Sequence, residues 1–301
     1  MYALALALIA VVLAAVAPRI MARLKVFRRS PRAALVAWQA VSLAAVLSAL
    51  AVAPAAIPFL TRTHTIACAS EECPSAVAAW RTQWWAVLVV AAVVTFAVLL
   101  PLLVSGHRIG TRLRAARTRH TELVDVLGDP REEDGTQLRV LAHATPTAYC
   151  LPGRRSRVVL TEGALTALPT GELSAVLAHE RAHLRGRHDL LLEYFTVLHH
   201  SVPGPVRSPE ALREVRLLIE ALADRAASRA SGPVETARAL LTLAHGQTPV
   251  AGLGAGGQGA TAARMRLLAD RPLPAPVVAL MYLYAAAVVA LPLTLLWLAW
   301  R

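Results

Sequence analysis

Cysteine, lysine and charge in general are scarce in this 301-residue chain, and each shortage closes off a class of protein. Three cysteines, Cys68, Cys73 and Cys150, do not make a zinc ribbon or a disulfide scaffold. Charged residues are 17% of the chain against 56% hydrophobic, which is too apolar for an ordinary soluble protein. Lys25 is the only lysine, so arginine carries nearly all of the +12 net charge. With so much alanine this points to a GC-rich genome and bears on source, not on function. The arginines cluster beside apolar runs, a pattern that fits membrane topology and anionic headgroups and speaks against direct nucleic-acid binding. The Gly-rich GLGAGGQG (Gly252 to Gly259) is not followed by the Lys-Ser/Thr of a phosphate-binding loop. It reads as a flexible loop.

What the chain has is four long apolar runs, at about 2–17, 33–53, 84–104 and 276–300. No Lys or Arg precedes the first, whereas signal peptides begin with positive charge. The Ala15-Val16-Ala17 ahead of Pro18 nevertheless resembles a cleavage site, and that alternative stays open. Arg19, Arg23, Lys25, Arg28, Arg29 and Arg32 follow the first run, and Arg108, Arg112, Arg114, Arg117 and Arg119 follow the third. Pro54 and Pro58 close the second run, and the connection from Pro54 to Arg81 holds only Arg62 and Arg81 as positive charges, with Glu71 and Glu72. Basic loops stay in the cytoplasm. The expected topology therefore has both termini outside a bacterial cell membrane. Residues 1–104 form a three-span membrane region, 105–275 a cytoplasmic domain and 276–301 a fourth span. Cys68 and Cys73 fall in the outer loop, where a disulfide can persist; two free thiols are the alternative.

The cytoplasmic region carries the chemistry. His179-Glu180-Arg181-Ala182-His183 is an H-E-x-x-H pattern, preceded by the helical apolar stripe Leu173, Val176 and Leu177. Residues four apart share a helix face, so His179 and His183 can both aim an imidazole at one zinc ion. Glu180 would stand beside the metal as general base. Pro169-Thr170 suggests a helix start with Thr170 as N-cap, and the motif helix reads as continuing through LLLEYFTVLHH to Pro203. Ahead of it, 109–127 reads as a helix ended by Gly128, Asp129 and Pro130. Residues 137–142, 148–151 and 157–161 read as strands, with Arg154, Arg155 and Arg157 on a basic hairpin. In zincin peptidases such a strand beside the metal binds extended substrate. Cys150 reads as a small buried residue, and His199 and His200 as structural.

One open position on a tetrahedral zinc calls for a third protein ligand. The helix over 209–231 offers Glu210, Glu214 and Glu220. The first two stand among Arg213 and Arg216 like surface charges, whereas Glu220 is flanked by Leu217, Leu218, Ile219 and Leu222. A buried carboxylate there needs a cation. Zinc supplies one, and a salt bridge to Arg216 is the alternative; Glu193 is a weaker candidate ligand. Asp224, one turn on, is placed to orient His179 or His183 through its second ring nitrogen.

Together HERAHLRGRHD and ALADRAA, with Glu220 four before Asp224, resemble the BlaR/MecR-type membrane metallopeptidases of the beta-lactam sensor-transducer family. Asp189 matches the Asp that follows the basic stretch in that pattern, YCLPGRRSRVVLTEGALTAL resembles its strand–turn–strand, and ARMRLLADRP the helix before its last span. The resemblance covers most of 105–300 and the four-span layout. It implies a mainly α membrane protein with an α+β gluzincin-like domain between spans 3 and 4. It also implies one zinc per chain on His179, His183 and Glu220, with Glu180 as base and Asp224 and Asp189 in support. The expected partner is a protein substrate such as a transcriptional repressor; a homodimer is left open. The chain departs from the best-known members in ending at Arg301, without their extracellular sensor domain, and in the short SVPGPVRSPE connection. Two competing expectations are a housekeeping protease that trims membrane proteins and a non-catalytic receptor or scaffold with a structural zinc.

Overall fold

The computed structural model describes residues 1–67, 73–133, 136–153, 156–204, 207–244 and 258–301; the side chains of 59–67, 73–84, 133, 136 and 258–260 are outside the description. Cys68, the side chain of Cys73, Arg154, Arg155, His245 and most of the Gly-rich loop therefore lie outside the described residues, and with them the expected Cys68–Cys73 pairing.

Four helices among the described residues are long and apolar enough to cross a membrane. The first covers Tyr2–Arg23, with α1 (Tyr2–Val11) and α2 (Ala17–Arg23) joined by a π turn at Val12–Val16. After a single turn, α3 (Lys25–Arg28), comes α4 (Pro31–Ala67). Pro54 and Pro58 lie inside α4 instead of closing it, against the expectation; spanning helices tolerate proline because neighbouring groups re-satisfy the freed carbonyls. The third span also outruns its expected limit. It belongs to α5 (Cys73–Leu127), 55 residues without a break, so the helix expected to open the polar domain is the same rod. The last span is α12 (Ala275–Trp300).

At the end of α5 lies a four-stranded sheet of order β1-β2-β4-β3, formed by β1 (Asp129–Glu133), β2 (Thr136–Leu141), β3 (Ala148–Leu151) and β4 (Arg157–Thr161). β1 was missed because Pro130 reads as a breaker, yet proline is tolerated on an edge strand. β2 and β4 run parallel, and the other two pairs antiparallel. Both faces of β3 and β4 are covered. Cys150, Val158 and Leu160 pack on Val176 and Leu177, while Tyr149, Leu151 and Val159 pack on Val124 of α5. Asp125 ties the rod to the sheet, accepting from Arg139 Nε at 2.9 Å and Arg157 Nε at 3.0 Å. Arg157 is thus a buried ion-pair member, not part of a solvated hairpin.

Short α6 (Glu162–Ala167), capped by Thr161, leads to α7 (Thr170–Arg185). The N-cap of α7 is Pro169 and makes no side-chain bond, so Thr170 occupies the first turn instead of capping it. The expected continuous motif helix is broken at Gly186 and Arg187, whose φ of +46° is left-handed, and restarts as α8 (His188–Ser201). Then follow α9 (Pro209–Ser231), α10 (Pro233–Leu243) and α11 (Gln258–Ala269). Gly106 and Gly110 of α5 let α8 approach: a Cβ on Gly110 would lie 2.9 Å from Glu193 Oε1. Trp38, Ala34 and Val41 of α4 share one core with Phe195 of α8, with Leu218 and Ile219 of α9 and with Met281 of α12. Membrane helices and the polar domain are one packed body there.

Candidate metal centre

Two helices and a strand build the site. α7 buries its apolar stripe against the sheet, and the adjoining face presents His179, Glu180 and His183, which are 6%, 2% and 0% exposed. α9 crosses it with Leu218 and Ile219 in the membrane-side core, which turns Glu220 and Asp224 toward the histidines.

One ligand atom from each of His179, His183 and Glu220 lies within 4.8 Å of the others. The two Nε2 atoms are 3.0 Å apart, and each stands 3.6 Å from an oxygen of Glu220. Corners of a tetrahedron ~2.0–2.1 Å from a central zinc are separated by roughly 3.3–3.4 Å. The observed triangle straddles that value. The donor set, two imidazoles and a carboxylate, is also the one zinc takes, so the residues fit the metal.

Hydrogen bonds select the tautomers this requires. His179 Nδ1 donates to Asp224 Oδ1 at 3.0 Å, which makes Nε2 the nitrogen that would ligate once its proton is displaced by the metal. His183 Nδ1 lies 2.9 Å from His188 Nδ1. One of the two must donate, and if His183 does, its Nε2 is free for the metal. Asp224 is therefore the partner of His179 and His188 that of His183. His188 went unassigned in the sequence, where its signal was only position: it follows Gly186, the one residue type that admits it. A Cβ on Gly186 would fall 2.4 Å from His188 Nε2.

Arg264 of α11 was also missed. Its guanidinium is 1% exposed and reaches Asp224 Oδ2 at 2.8 Å and Glu220 Oε2 at 3.1 Å. Glu220 thus pairs with Arg264, not with the expected alternative Arg216. An arginine on a helix 40 residues from Asp224 carries no local mark of such a role.

The electrostatics follow from burial set against charge. Burial holds His183 down at about 3 and His188 at about 4, so both imidazoles are neutral near pH 7. Burial also pulls His179 down, but the bonds to Asp224 and Glu220 more than reverse this and carry it to about 10. Burial would raise Glu220 and Asp224; His179 and Arg264 overcome it and hold both below the ordinary carboxylate range. Glu180 has only the weak thiol donor of Cys150. Burial pushes it up to about 7, against the pull of His179. Its Oε2 is buried without a hydrogen-bond partner, and its neighbour on β3 is the buried thiol of Cys150, which the same burial raises well above its usual range. A cavity of about 30 Å³ adjoins Glu180 and His179, walled by Thr147, Ala148, Thr236 and Leu240. That is room for a water.

The other expected residues stand apart. Asp189 accepts from Arg117 of α5 at 3.1 Å instead of touching a ligand histidine, and Glu193 shares Arg117 and Arg114. Glu214 is no free surface charge; it is largely buried and takes both arms of Arg28. Glu210 accepts from Ser208 and Arg213.

Residues 114–202 match the family model described as Peptidase family M48. The matched stretch runs from within α5 through the sheet to the end of α8. It contains His179, Glu180 and His183, and it stops short of Glu220 and Asp224. The match indicates a metallopeptidase of membrane type, for which zinc is the typical metal, and it does not confirm the BlaR/MecR group specifically. No curated protein and no solved structure gives a significant match.

Proposed function

We propose that the chain is a membrane-embedded zinc endopeptidase that hydrolyses peptide bonds on the cytoplasmic side. The observation that carries this is the His179–His183–Glu220 triangle with Glu180 buried at its edge, its Oε2 without a hydrogen-bond partner. A scaffold needs ligands but no base, and a carboxylate kept raised at no structural gain suits proton transfer. When bound, zinc supplies Lewis acidity and lowers the pKa of water. His179, His183 and Glu220 would hold it. Glu180 takes the proton of the attacking water and returns it to the leaving amine. Asp224 and His188 keep two imidazoles in the ligating tautomer, and Arg264 balances the charge of Glu220 and Asp224. β3 is an edge strand beside the site, open to pair with an extended substrate.

The cytoplasmic placement rests on the arginines after spans 1 and 3. The resemblance supports a signalling role with a regulator, such as a repressor, as substrate. Trimming of membrane proteins is the second reading. One feature favours it: the core that joins α4 and α12 to α8 and α9 fixes the site close to the spans.

The test compares wild type with Glu180→Ala in membranes, assaying bound zinc and cleavage of a co-expressed candidate substrate. Zinc should be retained while cleavage falls by about 10²–10⁴-fold. Equal processing by both would defeat catalysis for that substrate, and absence of zinc from wild type would remove the site.

A further inference from the structure

A second cavity, about 400 Å³, lies away from the metal centre between α1, α4, α5, α8 and α9. That volume is within the range of small-molecule sites. Much of its wall is span residues: Leu13 and Ala14 of the first helix, Ala45 and Ala49 of α4, and Ala97 and Val98 of α5, with Phe195 and Leu198 of α8 and Leu212 of α9 completing it. At that depth the surrounding solvent is hydrocarbon, so an apolar occupant is expected.

One end differs chemically. There the lining passes to His199, Arg207 and Ser208. Arg207 donates to the carbonyl of Val202 at 3.1 and 3.3 Å, and among the described residues it enters no ion pair. His199 Nδ1 is buried with no hydrogen-bond partner. Glu210, two residues after Ser208, is already engaged by Ser208 and Arg213. An apolar slot ending in an unneutralised guanidinium and an unused imidazole nitrogen matches a molecule with a hydrocarbon tail and an anionic head.

We propose that this cavity binds one acyl chain of an anionic phospholipid, with its phosphate at Arg207 and His199. The site is joined to the metal centre by shared helices. His199 lies in the last turn of the α8 whose first residue is His188, about 16 Å away along the axis. Leu212, in the cavity wall, lies two turns before Glu220 on α9. A bound lipid therefore braces both helices that complete the metal site, and it does so whatever the chain's substrate.

The test uses the purified full-length chain in detergent, given phosphatidylglycerol, phosphatidylcholine or inorganic phosphate. Retained lipid is read by native mass spectrometry and stability by thermal melting. Wild type should retain one phosphatidylglycerol and melt about 5 °C or more higher at a hundredfold excess over Kd. Phosphatidylcholine and inorganic phosphate should give neither effect. Arg207→Gln should lose the head contact, Arg207→Lys should recover part of it, and Ala45→Phe should fill the slot; both losses should remove the lipid-specific rise. An equal response to the two lipids would overturn the proposal, as would an equal rise with inorganic phosphate. Loss in Arg207→Gln while Ala45→Phe still retains lipid would leave a surface headgroup contact and overturn the acyl-chain site. If Ala45→Phe does not fold, Val98→Phe tests the same volume from α5.

Discussion

The least legible residue of the centre is the one that sets a tautomer. His183 is fully buried, and its Nδ1 has no partner among the described side chains other than His188. Removing that partner frees the imidazole to rotate and to place its proton on the ligating nitrogen. His188→Ala should weaken zinc binding by about 10–100-fold, measured by competition with a chelator of known affinity. His188→Asn should fall between, because an amide oxygen can still accept from Nδ1. Gly186→Ala should behave like His188→Ala without removing a polar atom, since its methyl would displace the His188 ring. An unchanged affinity in His188→Ala would show that His183 is held by packing alone. The face that carries His179 and His183 was readable, because H-E-x-x-H encodes its geometry in a four-residue spacing. His188 and Arg264 were not, because their positions depend on a left-handed turn at Arg187 and on how α11 crosses α9.

Elements were legible where periodicity was undisturbed. β3, β4 and α9 match the expected segments residue for residue, since both faces of the strands and one stripe of the helix are buried. Misreadings fell at breakers. Proline was taken to end α4 and to preclude β1, and neither holds, because a span and a sheet edge both tolerate a missing N–H. Glycine was passed over at 186, where it ends a helix. The long α5 has a testable consequence at its junction with the sheet. Arg157, and after it Arg139, hold the Asp125 carboxyl below its ordinary range, while burial opposes them. A carboxylate whose folded pKa is depressed contributes stability above its unfolded value, near 3.9, and loses it as pH falls through the folded one. Melting curves of wild type and Asp125→Asn should therefore be furthest apart near neutrality and converge below about pH 4. A constant gap across that range would mean the two arginines do not depend on this charge.

For the whole molecule, the packing argues against a catalytic domain merely tethered to a membrane. Composition suggested separable parts, 1–104, 105–275 and 276–301, because apolar runs and polar stretches alternate along the chain. A linear pattern cannot report that Trp38 of a span is 2% exposed because Phe195, Leu218 and Ile219 of the polar region close over it. Arg28 reinforces the junction through Glu214, and its guanidinium is stabilised first by that hydrogen bond. Leu218 and Ile219 immediately precede Glu220, so the surface that seats α9 on the spans also sets the depth of the third ligand. Trp38→Ala removes the largest side chain of this junction and should cost about 3–5 kcal/mol by the loss of buried area and the cavity left behind. The loss should appear twice in the purified full-length protein: as a lower melting temperature, and as zinc lost to a chelator that wild type resists. A matched truncation on the lipid-facing side, Trp85→Ala, which is 63% exposed, should change neither. If Trp38→Ala lowers the melting temperature while zinc retention stays at the wild-type level, the junction stabilises the chain without positioning Glu220. The domain boundary at residue 105 would then be real in function despite the shared core.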